Sequence, residues 1–265
     1  RKEILPSTLE KLPRPVHYNC WEAIYFKHSL NDLKDIAKLA VTLGAERFVL
    51  DDGWFGLRDD DTSSLGDWEV DKRKYPEGLT PLIEYVNQIG MEFGIWFEPE
   101  MVSPNSKLFK NNPDWILGKK NQTLGRNQLV LDLNIKEVQS YLFEKISKIL
   151  FENKISYIKW DHNRILPFPD HNQANGFYRL LDKLRTAFPN VEFESCSSGG
   201  GRIDYGVLST THRVWLSDSN DAMVRFKMQN NASVWLPSEV VGSHVGPRKC
   251  HTSGRIFDIS LRAWV

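Results

Sequence analysis

Short apolar runs recur along this chain, and almost every one stops at a carboxylate, a tryptophan or a small polar turn. Phe48-Val49-Leu50 stops at Asp51-Asp52-Gly53, Phe93 to Phe97 at Glu98-Pro99-Glu100, and Leu129 to Leu131 at Asp132. Tyr157-Ile158 leads through Lys159 to Asp161, and Val191 to Ser195 runs into Cys196 and a glycine-rich turn. Arg213 to Leu216 meets Ser217-Asp218, and Val240-Val241 leads to His244. Such runs, bounded by turn residues, read as short buried strands. Asn19 to Phe26 reads as one more at the start, which makes eight strands. Helical spacing fills most of the gaps. Leu33, Ile36, Ala37, Ala40 and Leu43 follow Asn31 as N-cap, and Pro81 to Gly90 forms a second helix. Asn134 and Glu137 resemble a capping box for Val138, Tyr141, Leu142 and Ile149. Further helices are expected over 177–188, around 223–232 and from 257 onward.

Strands alternating with helices predict a parallel sheet. Eight such units in 265 residues predict a closed (β/α)8 TIM barrel. The barrel is expected over residues 16–265, after an extended lead-in over 1–15 that carries Pro6, Pro13 and Pro15. A doubly wound open sheet is the competing architecture. It would want a glycine-rich phosphate loop after the first strand, and Asn19 to Phe26 has none. Arg1 at the start, and Trp264-Val265 inside an apolar helical pattern at the end, read as a catalytic core excised from a longer multidomain chain.

Lys plus Arg and Asp plus Glu both number 34, so net charge is zero and neither nucleic acid nor a membrane is expected as a partner. The three cysteines Cys20, Cys196 and Cys250 make no disulfide framework and fit a reducing, cytoplasmic compartment. In a barrel the chemistry lies at the C-terminal strand ends. Lys159 and Asp161, two residues apart, emerge on one strand face. One such pair alone reads as a structural ion pair, but carboxylates recur at strand end after strand end. Carboxylates with aromatics and few histidines fit glycoside hydrolysis, which needs two carboxyl groups flanking the bond. A divalent-metal hydrolase is the rival. His-x-His and His-x-x-x-His spacings are absent, so neither metal nor organic cofactor is expected. His162, His171 and His212 read as ordinary, and His244 as either a structural residue or part of the site rim. Glu98 and Glu100 read as a strand-end turn, Asp132 as a capping or orienting group, and Asp221 as the alternative to Asp218.

The segments Asp51-Asp52-Gly53-Trp54-Phe55-Gly56, Trp96-Phe97-Glu98-Pro99-Glu100-Met101, Gly125-Arg126-Asn127-Gln128, Lys159-Trp160-Asp161-His162-Asn163-Arg164, Glu194 to Arg202 and Trp215-Leu216-Ser217-Asp218 resemble the catalytic barrel of glycoside hydrolase family 36 α-galactosidases. Gly242-Ser243-His244-Val245 and His251 to Arg255 are similar to it too. The resemblance implies a retaining enzyme acting on terminal α-galactosyl residues of oligosaccharides such as raffinose and melibiose. Asp161 matches the nucleophile and Asp218 the acid/base. Asp51 and Asp52 match the pair holding the O4 and O6 hydroxyls, Trp96 an aromatic of the sugar pocket, and Arg126 and Lys159 basic contacts. Cys196 and Gly199 match residues beside the C2 hydroxyl. The resemblance also implies a homo-oligomer in the full-length protein, with β-rich domains on both sides. His162 stands where family members often have Met, and Asn220 where they have Thr, which bears on subfamily and leaving group. A raffinose-synthase-like transglycosylase, an α-N-acetylgalactosaminidase and a non-catalytic sugar-binding barrel are the alternatives. Lys159 is expected to keep Asp161 ionised, and burial with a nearby carboxylate to raise the Asp218 carboxyl.

Overall fold

A computed structural model describes Leu5, residues 14–219 and residues 221–246. The chain forms two compact units, one of residues 13–192 and one of residues 1–12 with 193–265. Each is mixed α/β with parallel strands, the make-up of part of a (β/α) barrel.

The first unit runs β1 (His17–Asn19), α1 (Trp21–Ile24), α2 (Leu30–Thr42), β2 (Arg47–Leu50), α3 (Thr80–Gln88), β3 (Glu92–Phe97), β4 (Met101–Val102), α4 (Lys107–Asn111), β5 (Leu129–Val130), α5 (Lys136–Glu152), β6 (Tyr157–Trp160) and α6 (His171–Ala187). β1, β2, β3 and β6 pair side by side and in parallel, with Asn19 opposite Val49, Leu50 opposite Ile95 and Phe97 opposite Trp160. Parallel pairing in this register brings the C-terminal ends of all four strands to one edge. β2 is buried along its whole length, as a strand covered on both faces must be. The edge is roofed by aromatics: Trp54, Phe55, Trp68, Trp96 and Phe97 pack ring against ring, with Phe55 and Trp68 centroids 4.5 Å apart. These tryptophans are core.

Four expectations are corrected here. The first strand ends at Asn19, and Trp21–Ile24 is a helical turn. The cause is local: the Asn19 side-chain oxygen accepts the Trp21 backbone N–H at 2.8 Å, an Asx-type turn that stops the strand. The run Leu129 to Leu133 is not a parallel strand. Its first two residues pair antiparallel with β4, and β3 takes β6 as its neighbour instead. An apolar run is the same in either pairing, so periodicity does not reveal the partner. Finally, Asn134 and Glu137 are not the cap of α5. The N-cap is Ile135, and Asn134 turns back to donate to Asp132 at 2.9 Å. Asp132 thus orients a turn, as expected of it. α2 is capped by Ser29, whose hydroxyl accepts from the Asp32 N–H at 3.4 Å, where Asn31 was expected.

The second unit holds β7 (Glu192–Ser195), α7 (Tyr205–Thr210), β8 (Arg213–Trp215), α8 (Ala222–Ala232), a 3-10 turn (Ser238–Val240) and β9 (Val241–Gly242). β8 pairs in parallel with β7 and with β9. The described residues therefore supply four parallel strands in one unit and three in the other. The helix expected from 257 onward, Cys250 and the His251 to Arg255 segment lie outside the described residues.

Gly176 on α6 sits against the backbone of Leu133: a Cβ there would lie 2.6 Å from Leu133 Cβ and 2.8 Å from its carbonyl oxygen. Backbone cannot swing aside as a side-chain tip can. Gly176→Ala is expected to cost about 1–3 kcal/mol and to lower Tm by several degrees in a thermal melt.

Candidate active site

Four carboxyl groups leave the sheet edge of the first unit within two residues of a strand end. Asp51 and Asp52 follow β2, Glu98 follows β3, and Asp161 follows β6. All four are buried. A buried anion is costly unless paired or hydrogen-bonded, and each of the four is handled differently.

Asp51 accepts from the Asn19 amide at 2.5 Å and pairs with Lys159 Nζ at 3.3 Å. Its backbone N–H is directed at the Cys20 sulfur at 3.4 Å, and burial pushes that thiol up to about 12. Cys20 is therefore an inert thiol. Lys159 thus reaches Asp51 across two strands.

Asp52 is gripped by Arg58, whose Nε and Nη2 reach its two oxygens at 3.0 and 2.9 Å. Arg58 has no exposed surface; its remaining nitrogen donates to the Ser63 carbonyl at 2.9 Å, and its plane lies over the Phe26 ring. Burial raises the Asp52 carboxyl, and the Arg58 charge pulls it back. The polar loop is clamped beside this pair by Lys74, which donates to the carbonyls of Phe26, Gly53 and Arg58.

Asp161 receives three donors. Trp96 Nε1 lies 3.1 Å from Oδ2, Asn163 Nδ2 lies 2.5 Å from Oδ2, and the His162 backbone N–H lies 2.8 Å from Oδ1. Hydrogen bonds of this kind favour the ionised carboxylate and fix its plane. Trp96 is itself buried, so it presents its N–H to the carboxylate while its ring packs in the aromatic roof.

Glu98 takes the opposite route. It is fully buried, and Oε1 accepts from Gln128 Nε2 at 2.5 Å and from the Asn163 backbone N–H at 2.6 Å. Burial first, and the Asp161 charge second, push its carboxyl up to about 8. Two neighbouring carboxyls retain a proton between them, and the one without three N–H donors is the better place for it. Arg126 stands at the outer side of this group, and its charge is felt by Glu98, Asp161 and Asp52. It occupies a tight turn over Gly125 to Gln128, with Arg126 at φ +49° and Asn127 at φ +59°. Left-handed backbone at a non-glycine residue costs on the order of 1–2 kcal/mol, and here the strained turn carries the cation whose charge acts on these carboxyls.

The second unit carries the remaining expected residues. Cys196 is buried at the end of β7. Gly199 has φ +87°, and a Cβ on it would lie 2.7 Å from Ser217 Cα and 3.2 Å from the Asp218 N. The glycine run is thus packed against the strand end that bears Asp218, a close approach that side chains would prevent. Asp218 accepts from the Trp215 indole N–H at 2.8 Å, and its side chain is exposed, so the burial expected of it is not found. The alternative Asp221 is a buried N-cap of α8, accepting from the Val224 N–H at 2.9 Å. His244 packs its ring on Trp215 at 4.9 Å, and His212 accepts from the Phe193 N–H at 3.0 Å, both structural contacts.

Sequence reasoning missed Arg58, Gln128, Asn163 and the burial of Glu98 beside Asp161. Arg58 lay in an unpatterned loop, and Gln128 and Asn163 are neutral amides with no spacing signature. Glu98 carried a signal: an acid between a tryptophan and a proline, directly after a fully apolar strand.

Known proteins resemble this chain. The melibiase family model matches residues 1–265, and the chain belongs to that family, with the glycoside hydrolase family 36 α-galactosidases. It is 50% identical to the α-galactosidase of Escherichia coli over 99% of this chain and 38% of that protein. It is 45% identical to α-galactosidase AgaA of Geobacillus stearothermophilus over 95% of this chain and 37% of that protein. Crystal structures of AgaA variants in complex with raffinose and with stachyose superpose with TM-scores of 0.89 and 0.92, covering 94% and 98% of this chain and 37% and 38% of theirs. The chain therefore spans well under half the length of these relatives.

Two outcomes follow from the charges. Arg58→Met strands a buried Asp52 carboxylate, and an expected loss of about 3–5 kcal/mol should appear as a lower urea midpoint. For Glu98, stability is fully present below the ordinary carboxyl value of 4.5, where folded and unfolded chains both hold the proton. It declines as pH rises to about 8, because the unfolded chain ionises first. Glu98→Gln titrates in neither state. Urea midpoints from about pH 5 to about pH 8 should therefore fall less steeply in Glu98→Gln than in the native protein.

Proposed function

We propose that this chain is the catalytic core of a retaining α-galactosidase that removes terminal α-linked galactose from oligosaccharides of the raffinose and melibiose type. The closed (β/α)8 barrel over residues 16–265, with 1–15 as lead-in, is part of this reading. The observation that carries it is the buried Asp161 carboxyl group, held by the Trp96, Asn163 and His162 donors at the C-terminal edge of a parallel sheet. Names and bound sugars among the relatives support the substrate class.

In this reading Asp161 attacks the anomeric carbon and forms a glycosyl ester. The bond to the leaving oxygen breaks, and that oxygen takes the proton of Asp218. Asp218, now a carboxylate, removes a proton from water, the water oxygen attacks the anomeric carbon, and the ester bond returns its electron pair to Asp161. Asp51 and Asp52 accept hydroxyls of the sugar. Arg58 and Lys159 hold them in fixed orientation before substrate arrives, so an epimer with one hydroxyl misdirected leaves a buried acceptor unpaired. Arg126 adds positive charge beside the reacting group, and Cys196 and Gly199 lie beside the C2 hydroxyl.

Azide separates the two acids. Asp161→Ala should be inactive on every substrate, and azide should restore turnover with a β-galactosyl azide as product. Asp218→Ala should still react with substrates bearing a good leaving group, and azide should give the α-galactosyl azide. Proton NMR of the anomeric centre reads the result. A β product from Asp218→Ala would overturn the assignment.

A further inference from the structure

We infer that Glu98 is a positioning residue for the nucleophile, holding Asn163 so that the Asn163 amide fixes the Asp161 carboxylate. The inference rests on the reading of Asp161 as nucleophile and adds a residue to which that reading gives no task.

The register of the sheet sets up the contact. Phe97 is opposite Trp160 in the β3–β6 pair, and Asp161 N–H continues the ladder to the Phe97 carbonyl at 2.8 Å. Glu98 and Asp161 are therefore neighbours just beyond two adjacent strand ends. Asn163 bridges them. Its backbone N–H donates to Glu98 Oε1 at 2.6 Å, and its side-chain amide donates to Asp161 Oδ2 at 2.5 Å. The same Glu98 oxygen receives Gln128 Nε2 at 2.5 Å, which ties in the turn carrying Arg126. One carboxyl oxygen thus joins the loop behind the nucleophile to the loop bearing the nearby cation.

The other oxygen, Glu98 Oε2, is buried and has no hydrogen-bond partner among the described residues. As an anion it would lie bare beside the negative charge of Asp161. As the protonated acid it leaves Asp161 the local anion, in keeping with the raised carboxyl already described. A purely structural role would be met more cheaply by an apolar side chain of similar size. Such a side chain would leave the Asn163 and Gln128 donors without an acceptor and Asn163 without its anchor.

The test uses the full-length protein and a chromogenic α-galactoside, with a thermal melt on each variant. Glu98→Gln keeps an acceptor oxygen and no charge, so its kcat should stay within about threefold of native. Glu98→Ala should lose about a hundredfold in kcat, as small misplacements of reacting groups do, with KM changed by less than about threefold. Glu98→Asp withdraws the oxygen by one methylene and should fall with it, and it serves where the alanine variant does not fold. In an Asn163→Ala background the further loss from Glu98→Ala should shrink to less than about tenfold, because the two act through one contact. Folded Glu98→Gln as inactive as Glu98→Ala, native kcat in Glu98→Ala or Glu98→Asp, or fully additive losses would overturn the inference. Asp161→Ala serves as the separate control. Its retained activity would overturn the nucleophile reading, whereas an inactive Asp161→Ala beside an unimpaired Glu98→Ala would overturn this inference alone.

Discussion

Four carboxyl groups at one edge of a parallel sheet repel one another, and the arrangement of the first unit follows from how that repulsion is relieved. Asp51 is neutralised by Lys159, Asp52 by a buried Arg58, and Asp161 by three N–H donors. Burial and the Asp161 charge raise the Glu98 carboxyl instead. Several of these contacts cross between pieces of chain, so the loops after β2, β3 and β6 and the turn at Gly125 to Gln128 are bound into one electrostatic unit. Remove one partner and a buried charge is stranded, which is more damaging than removing a whole pair.

This crowding also has a catalytic sense. A site that must tell one hydroxyl orientation from another needs buried acceptors whose direction is set in advance. Arg58 takes Asp52 bidentately, which fixes the carboxylate plane and leaves its remaining lone pairs to a ligand. The cost is visible in the backbone. Arg126 and Asn127 both lie at positive φ, a conformation that neither adopts without constraint, and the Glu98–Gln128 contact pins the base of that turn. Strain, burial and charge are concentrated in the same few residues.

Most of the framework was legible in the sequence because apolar runs and helical spacing carry it: β2, β3, β6, α3 and α8 lie close to where the pattern places them. The strand ends were legible as well, since a carboxylate after an apolar run has few structural uses. What the sequence hides is partnership. Leu129 to Leu133 has the composition of a barrel strand, yet β4 turns back to claim it, and only three-dimensional contact distinguishes the two outcomes. Lys159 pairs with Asp51, 108 positions away, because adjacent parallel strands bring β6 and β2 to one edge through β3. Arg58, Gln128 and Asn163 were silent for the same reason: their meaning lies in what they touch, and no periodicity encodes that.

Asp218 and Asp221 show how place in the chain separates two residues of one type. Asp221 directly precedes α8, and its side chain closes the first turn by accepting the Val224 N–H; at 1% exposure it is occupied and out of reach. Asp218 follows β8 directly, with the glycine run packed against its backbone and Trp215 supplying a single N–H to one oxygen. A carboxylate engaged as a helix cap, as Asp221 is, would forfeit its cap, worth about 1 kcal/mol, at each proton transfer. Arg225 completes the separation. It donates to the carbonyls of Ser217 and Ser219 on either side of Asp218, so it holds the backbone of that strand end while its plane lies over the Trp215 ring. Asp221 is thus taken up by the helix, and Asp218 is the aspartate that the proposed acid/base reading uses.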